Sequence, residues 1–323
     1  MPRRYLITGG TGFLGRSLVR ALVARGEGVR VLDNDSRGNA RWLSDVLPKI
    51  ELLNGDIRDP ATVTQACKGI DVVCHLAFIN GTEFFYTKPE LVLEVGVKGM
   101  LNVLDGCSTH QVHELMLVSS SEVYQKPLVI PTDETAPLSI PDPLNPRYSY
   151  AGGKIISELL AINYGRARFG KVTIVRPHNV YGPNMGKEHV IPQFIIRLNE
   201  ARGKSAAECP VPLKIQGTGE EMRSFIFVED FTRGVMDVLD RGEHLQIYHV
   251  GTTEERSIRQ LAEEVASCMG IELLLQTGPL QPGSVARRCP SIAKVRALGF
   301  DPQMPFLDGL QQTVSWYLSH ADQ

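Results

Sequence analysis

Residues 5–15 read Tyr-Leu-Ile-Thr-Gly-Gly-Thr-Gly-Phe-Leu-Gly, an apolar strand that runs directly into Gly9, Gly12 and Gly15. Apolar residues at helical spacing follow and predict a helix over residues 12–25. Glycines at this spacing allow a sharp turn, a close approach of the backbone to a ligand, and tight packing of the helix on the sheet. The helix N-terminus then presents free N–H groups to an anion. The stretch therefore predicts a loop that cradles a pyrophosphate, although a ligand-free glycine turn stays an alternative.

A second predicted strand, residues 29–32, ends at Asp33, about twenty residues after the loop. A carboxylate at this place can bind the 2′-hydroxyl of a ribose and repels a 2′-phosphate. The position therefore favours NAD over NADP, and Arg37 weakens that preference slightly.

Composition narrows the function classes. The chain has 323 residues, 43% of them hydrophobic, and a formal net charge of −2, so it can bury a large core. It has no long basic run, so nucleic acid and anionic membranes are not expected partners. No apolar run reaches membrane-spanning length and no signal-peptide pattern is present, so a cytoplasmic location is expected. No metal site is expected, and reduced thiols are expected for the scattered cysteines Cys67, Cys74, Cys107, Cys209, Cys268 and Cys289.

Strands and helices alternate through the first half of the chain. Strands are predicted at 51–53, 71–76, 115–118 and 171–176, and helices near 60–68, 90–108 and 152–166. Such alternation predicts an α/β fold with a doubly wound parallel sheet of the Rossmann type. Ligands bind such sheets at the carboxyl ends of the strands.

The second half is richer in Pro and Gly and has shorter elements. Strands are predicted at 213–215 and 247–250, and helices at 190–202, 229–241, 257–269 and 306–319. We therefore expect residues 1–180 to bind the dinucleotide and carry the catalytic groups. Residues 181–323 are expected to form a smaller α/β substrate-binding region, with part of the chain crossing back to the sheet.

Tyr150 and Lys154 are four residues apart and hence lie on one face of a helix. A tyrosine with its ordinary pKa near 10 cannot serve as a base at neutral pH. A nearby ammonium and a positively charged nicotinamide would favour the phenolate and lower that pKa. Tyr150 could then accept the proton of a sugar hydroxyl, while Ser120, at the end of the preceding strand, orients that hydroxyl. The pattern indicates oxidation of a hydroxyl group by NAD.

Together these motifs resemble the extended short-chain dehydrogenases, in particular the nucleotide-sugar epimerase/dehydratase group. The resemblance spans nearly the whole chain and rests on residues 8–15, 55–59, 75–77, 119–124, 150–154, 176–183 and 223–225. It implies NAD as cofactor, a nucleotide-diphosphate sugar as substrate, and a homodimer built on the helices near 90–108 and 152–166.

The resemblance also implies residue roles. The cofactor site would comprise Gly9, Gly12, Phe13, Leu14, Gly15, Asp33, Asn34, Asp56, Ile57, Leu76, Ala77, Tyr150, Lys154 and Pro177. The substrate side would comprise Ser121, Asn179, Arg223 and Arg288, with Asn179 at the diphosphate and the arginines as phosphate clamps. Solvated surface charge stays the alternative for the arginines.

The pair Ser121-Glu122 bears on the reaction. The resembling 4,6-dehydratases carry Asp-Glu here, and Ser121 cannot protonate a leaving hydroxyl as that Asp does. Ser-Glu, together with Asn145-Pro146-Arg147, resembles UDP-glucuronate decarboxylases. C4 epimerases need only the serine, tyrosine and lysine, so Glu122 could equally be a bystander. C4 epimerisation through a 4-keto sugar is the leading expectation, with decarboxylation or dehydration through Glu122 second.

Some positions depart from the family pattern and leave the substrate open. Gly96 stands where an asparagine is common, and His178 replaces a usual aromatic residue. Residues 78–86 are unusually aromatic. We interpret His178 as a packed histidine and not a catalyst. A non-catalytic, NAD-binding regulator is a remote alternative, disfavoured because Tyr150 and Lys154 are both present.

Overall fold

The computed structural model describes residues 2–204, 210–280 and 285–321. Its strands are β1 Arg4–Thr8, β2 Gly28–Asp33, β3 Ile50–Asn54, β4 Val72–His75, β5 Glu114–Val118, β6 Lys171–Pro177, β7 Val180–Tyr181, β8 Val211–Lys214, β9 Met222–Ser224, β10 Ile226–Phe227, β11 Gln246–Val250, β12 Glu255–Ser257, β13 Leu273–Gln276 and β14 Arg287–Arg288. Its α-helices are α1 Phe13–Ala24, α2 Pro60–Cys67, α3 Thr82–Thr87, α4 Pro89–Leu93, α5 Gly99–Thr109, α6 Tyr148–Arg168, α7 Val190–Lys204, α8 Val228–Arg241, α9 Ile258–Cys268, α10 Ala293–Arg296 and α11 Phe306–Ser319. Short 3₁₀ turns lie at Ala40–Leu43, Leu47–Lys49 and Ser121–Tyr124.

The centre of the described structure is a seven-stranded parallel sheet in the order β11-β6-β5-β4-β1-β2-β3. All four residues of β4 are buried, which is the pattern of a strand covered on both faces. Helices α1 and α8 pack on one face, and α2, α5 and α6 on the other. The predicted doubly wound Rossmann fold is confirmed.

One predicted helix is not regular. The apolar pattern over 90–108 predicts a continuous helix, but a π-helical turn at Glu94–Lys98 separates α4 from α5. Gly96 lies inside this turn, and its carbonyl accepts a hydrogen bond from the Ser157 hydroxyl of α6 (3.2 Å). Insertions of this kind occur frequently at functional sites. The turn places Gly96 beside the active-site helix.

The second half of the chain contributes to both parts of the molecule. Strand β11 pairs with β6 and extends the central sheet. Helices α7, α9 and α11 enclose a separate hydrophobic cluster. Strand β14 pairs with β9 so that Arg288 lies opposite Arg223. The domain boundary at 180 stays a prediction.

The cysteines Cys67, Cys74, Cys107, Cys268 and Cys289 are free thiols, and Cys209 lies outside the described residues. Within the described ranges, no helix has the length and apolar character needed to cross a lipid bilayer.

Candidate active site

A cavity of about 840 Å³ opens at the carboxyl ends of the central strands. All fourteen residues predicted for the cofactor line it, from the glycine loop to Tyr150, Lys154 and Pro177. Ser120, Ser121, Glu122, Asn179 and Arg288 also line it. Because parallel strands end at one edge of the sheet, residues far apart in the sequence meet there. Arg223 is the one predicted site residue that does not line this cavity.

The glycine loop leaves no room for side chains. Gly9 has φ +74°, and a Cβ there would lie 2.7 Å from the Ala77 backbone nitrogen. A Cβ on Gly15 would lie 2.1 Å from the Gly9 carbonyl oxygen. At the end of β2, the Asp33 carboxylate accepts the Thr11 N–H (3.0 Å) and faces the cavity. A tight backbone cradle at the start of a helix, with a carboxylate beside it, fits a dinucleotide.

The neighbouring charges bear on the choice of dinucleotide. The Arg37 guanidinium pairs with Glu188 and lies 4.9 Å from the centre of the Phe84 ring, so its charge is already engaged. Asn34 donates to the Asp56 carboxylate (3.0 Å), whose pKa is lowered chiefly by the hydrogen bond from Arg58. Because Arg37 is already engaged by Glu188 and Phe84, it is less available to bind a 2′-phosphate than its position in the sequence suggested. The preference for NAD over NADP is therefore weakened less than expected.

Tyr150 and Lys154 lie one turn apart on α6, and both are buried. The Lys154 ammonium donates to the Val118 carbonyl oxygen at the end of β5 (2.8 Å). Burial lowers the pKa of Lys154 to about 7. Burial also raises the pKa of Tyr150, and a hydrogen bond with the Ser120 hydroxyl offsets this only in part. The lowered tyrosine pKa expected from the sequence is therefore not produced by the protein groups alone, because burial and the charge of Glu122 outweigh the hydrogen bond with Ser120.

Glu122 lies among arginines that come from distant parts of the chain. Its carboxylate is 3.2 Å from Arg288 Nη1. Burial opposes its ionisation, but the charges of Arg288, Arg147 and Arg223 outweigh burial and lower its pKa. Its charge in turn contributes to the raised pKa of Tyr150.

Positive charge exceeds negative charge at this end of the cavity. Arg288 is 8% exposed, and its Nε has no hydrogen-bond partner among the described residues. Arg147 forms no salt bridge within the described ranges. The Arg223 guanidinium instead donates to the carbonyl oxygens of Met222 and Val285 (2.7 Å each). Arg288 and Arg147 are thus two cations beside Glu122 that line the cavity and can bind an anion.

Two further sequence expectations concern neighbouring residues. Asn179 donates to the Ser224 carbonyl oxygen (2.8 Å) and faces the cavity. The His178 ring is buried 4.8 Å from the His249 ring, and burial lowers its pKa. His178 does not line the cavity, so its geometry agrees with our interpretation of it as a packed residue.

Sequence reasoning missed one part of the site. Phe78 and Phe85, from the segment after β4, both pack on the Tyr150 ring. The unusual aromatic content of residues 78–86 and the glycine at 96 were the available signals.

Comparison with known proteins identifies the family. Residues 5–251 match the NAD-dependent epimerase/dehydratase family. The chain belongs to this family. The match confirms the family resemblance and NAD as the cofactor, and it makes the protein an enzyme of this class.

The relatives of this chain are named for different reactions. UDP-glucuronic acid decarboxylase 4 of Arabidopsis thaliana is 30% identical over 95% of this chain and 67% of that protein. The dTDP-glucose 4,6-dehydratase of Streptomyces venezuelae, solved with NAD bound, has a TM-score of 0.88 and 30% identity, covering 99% of this chain and 98% of that one. The UDP-glucose 4-epimerase of Thermus thermophilus, solved in complex with NAD, has a TM-score of 0.84 and 28% identity. The match covers 98% of this chain and 99% of that one. Decarboxylases, dehydratases and epimerases are therefore all represented.

Proposed function

We propose that this family member decarboxylates a nucleotide-diphosphate hexuronate after transient oxidation at C4. The observation that carries the proposal is the charge arrangement at Glu122. Arg288 is buried beside it with an Nε that has no acceptor among the described residues, and Arg147 is a second available cation. A buried charged donor without an acceptor is costly, which favours an anionic ligand group. A hexuronate brings a carboxylate in addition to its diphosphate, whereas a neutral hexose does not.

The residues of α6 and the β5 end would carry the first step. Ser120 orients the C4 hydroxyl and Tyr150 accepts its proton. Lys154 is placed to hold the cofactor ribose and to favour the phenolate. NAD, when bound, accepts the hydride from C4 and later returns it. Burial raises the pKa of Tyr150 and lowers that of Lys154, so we expect the pair of Tyr150 phenolate and Lys154 ammonium to form once the cofactor is bound.

The second step would use the ketone as an electron acceptor. A C4 ketone makes the C6 carboxylate that of a β-keto acid, so the C5–C6 bond can break with its electron pair moving to the C4 oxygen. Tyr150 can protonate that oxygen as CO₂ leaves. C5 must then gain a proton, and Glu122, ionised because of its arginines, is placed to relay one from water. Arg288 and Arg147 would hold the carboxylate before it leaves, a role for Arg288 that differs from the phosphate clamp expected from the sequence.

One residue supports this choice over dehydration. Ser121 stands where dehydration needs an acid for the leaving hydroxyl. Sequence identity does not decide between the two reactions, because a decarboxylase and a 4,6-dehydratase are both 30% identical to this chain. This order differs from the sequence expectation, in which C4 epimerisation led.

C4 epimerisation remains the second candidate. Ser120, Tyr150 and Lys154 are sufficient for it, and all three line the cavity. An epimerase of 28% identity also shares the fold over nearly all of both chains.

A product panel distinguishes the two candidates. The enzyme would be incubated with UDP-, dTDP-, GDP- and CDP-linked hexuronates and hexoses, and the products identified by NMR and mass spectrometry. The proposal expects a nucleotide pentose and CO₂ from a hexuronate. A C4-inverted hexose or hexuronate with all six carbons would replace it by epimerisation.

We further propose that the protein is a homodimer through the outer faces of α4 and α6. These helices pack on each other and expose Leu93, Ile156 and Leu159 to 38%, 39% and 55%. Adjacent exposed apolar side chains of this kind are typical of interfaces. Light scattering should give about twice the monomer mass of 35.7 kDa. A monomer at micromolar concentration would refute this.

A further inference from the structure

The catalytic phenol lies between two phenylalanines from the segment that follows β4. The Phe78 ring meets the Tyr150 ring edge-on, with centroids 5.2 Å apart and planes at 83°. The Phe85 ring stacks on the same phenol at 4.9 Å and 23°. Tyr150 is therefore held by aromatic packing on two sides.

The position of Phe78 depends on two glycines. A Cβ on Gly96, in the π-helical turn, would lie 2.4 Å from the Phe78 ring. A Cβ on Gly153, in α6, would lie 3.0 Å from it. Contacts of 2.4 Å do not occur between carbon atoms, so any side chain at position 96 would displace the ring. This accounts for a glycine where the resembling family commonly has an asparagine.

Phe78 also contacts the second member of the pair. The Lys154 ammonium lies 4.0 Å from the centre of the Phe78 ring and is 3% exposed. The negative face of an aromatic ring attracts an ammonium, most strongly where water is excluded. Among the described residues, the Lys154 ammonium has cation–π contacts with the Phe78 and Tyr150 rings but not with the Phe85 ring. Phe78 thus contacts both members of the pair, while Phe85 contacts one.

Among the charged neighbours of Lys154, Glu158 favours the ammonium, but burial outweighs it and lowers the Lys154 pKa. On its own helix, Glu158 is bound to the buried Arg176 guanidinium (2.6 Å), and Tyr150 is neutral because burial raises its pKa. On β4, His75 is also neutral, because burial lowers its pKa to about 3. Among the residues that the structure describes, the Lys154 ammonium also donates a hydrogen bond to the Val118 carbonyl oxygen.

We propose that Phe78 is a positioning residue for the catalytic pair, seated in the space left by Gly96 and Gly153 and holding the Lys154 ammonium beside the Tyr150 ring. The proposal rests on the C4 oxidation assigned under the proposed function, whether or not CO₂ then leaves. Under this proposal, the aromatic segment at residues 78–86 supports the oxidation at C4.

The test compares Phe78→Leu with the matched control Phe85→Leu. Each removes one aromatic neighbour of Tyr150, but only the first removes the ring face under Lys154. Single-turnover hydride transfer is followed at 340 nm from pH 5 to 10 with UDP-glucuronate and UDP-glucose. In Phe78→Leu, loss of the ring disfavours the Lys154 ammonium and lowers its pKa. The limb of the pH–rate profile that reflects ionisation of Lys154 should therefore move to lower pH by about one unit. Phe85→Leu and the conservative Phe78→Tyr should leave that limb in place.

A second experiment measures NADH binding, and so requires neither turnover nor the Phe78→Leu variant. Gly96→Ala should displace the ring and shift the pH dependence of NADH affinity, measured by fluorescence titration, in the same direction. In a Phe78→Ala background, where no ring remains, Gly96→Ala should add nothing. Equal shifts in Phe78→Leu and Phe85→Leu, or additive effects in the double variant, would overturn the proposal. If no hexuronate of the product panel is turned over, the proposed function fails, while the NADH titration still decides the role of Phe78.

Discussion

Replacing Glu122 with glutamine tests the role of the carboxylate while keeping its shape. The amide can still accept a hydrogen bond from Arg288 Nη1, 3.2 Å from the carboxylate oxygen. A hydrogen bond to a charged group contributes about 1.5–3 kcal/mol, and a neutral one about 0.5–1.5 kcal/mol. The substitution should therefore cost about 1 kcal/mol of stability, small against the roughly 5–15 kcal/mol of a folded domain. The variant should fold and bind NAD.

The effect on turnover should be much larger than the effect on stability. If Glu122 relays a proton to C5, its loss should slow CO₂ release about 10²- to 10⁴-fold, the usual range for general acid–base catalysis. The first hydride transfer does not involve C5 and should slow less than tenfold. Stopped-flow absorbance at 340 nm measures the first hydride transfer, which should persist in the variant. Collection of CO₂ measures decarboxylation, which should be lost.

Glu255→Gln is a matched control, because Glu255 pairs with Arg287, the residue next to Arg288, at 2.6 Å. Arg287 is exposed, and neither residue lines the cavity. The control should leave both steps near the wild-type rate. A loss of turnover below tenfold in Glu122→Gln, or an equal loss in the control, would refute the proton relay.

Three further predictions follow from other parts of the site. Tyr150→Phe should keep NAD and the fold but lose turnover by about two to four orders of magnitude; near-normal activity would exclude Tyr150 as the base. Denatured protein should release NAD or NADH, and Asp33→Ser should narrow the preference for NAD over NADP in titration; tighter NADP binding by the wild type would contradict the role of Asp33. The free energy of unfolding should fall as the pH drops below about 6.5. Burial lowers the pKa of His75 to about 3 and that of His189 to about 4 in the folded chain. The same histidines of the unfolded chain take up protons at higher pH, which favours unfolding. Thermal unfolding across pH 4–8 checks this, and His75→Asn should flatten the profile.

The sheet and the cofactor loop could be predicted from the sequence because their signals are local. Apolar runs such as β4, and glycines three apart before a helix, determine structure within about a dozen residues. The predicted cofactor residues meet because parallel strands end at one edge. The match to the NAD-dependent epimerase/dehydratase family confirms the family and the NAD cofactor that these signals predicted.

The remaining features depend on packing between distant segments. The Glu122–Arg288 pair joins residues 166 positions apart, and the register of β14 on β9 determines it. The position of the Phe78 ring depends on the absence of a side chain at Gly96, so it could not be predicted from residues 78–86 alone. The raised pKa of Tyr150 depends on burial, which its position in the sequence does not reveal.

The most direct test of the proposed reaction is the fate of C5 in deuterated water. The enzyme would be incubated with nucleotide-diphosphate hexuronates in D₂O, with CO₂ collected and the product examined by NMR and mass spectrometry. Decarboxylation predicts one CO₂ per turnover and a nucleotide pentose that carries one deuterium at C5. A six-carbon product inverted at C4, with no deuterium on carbon, would contradict decarboxylation and assign the enzyme to epimerisation.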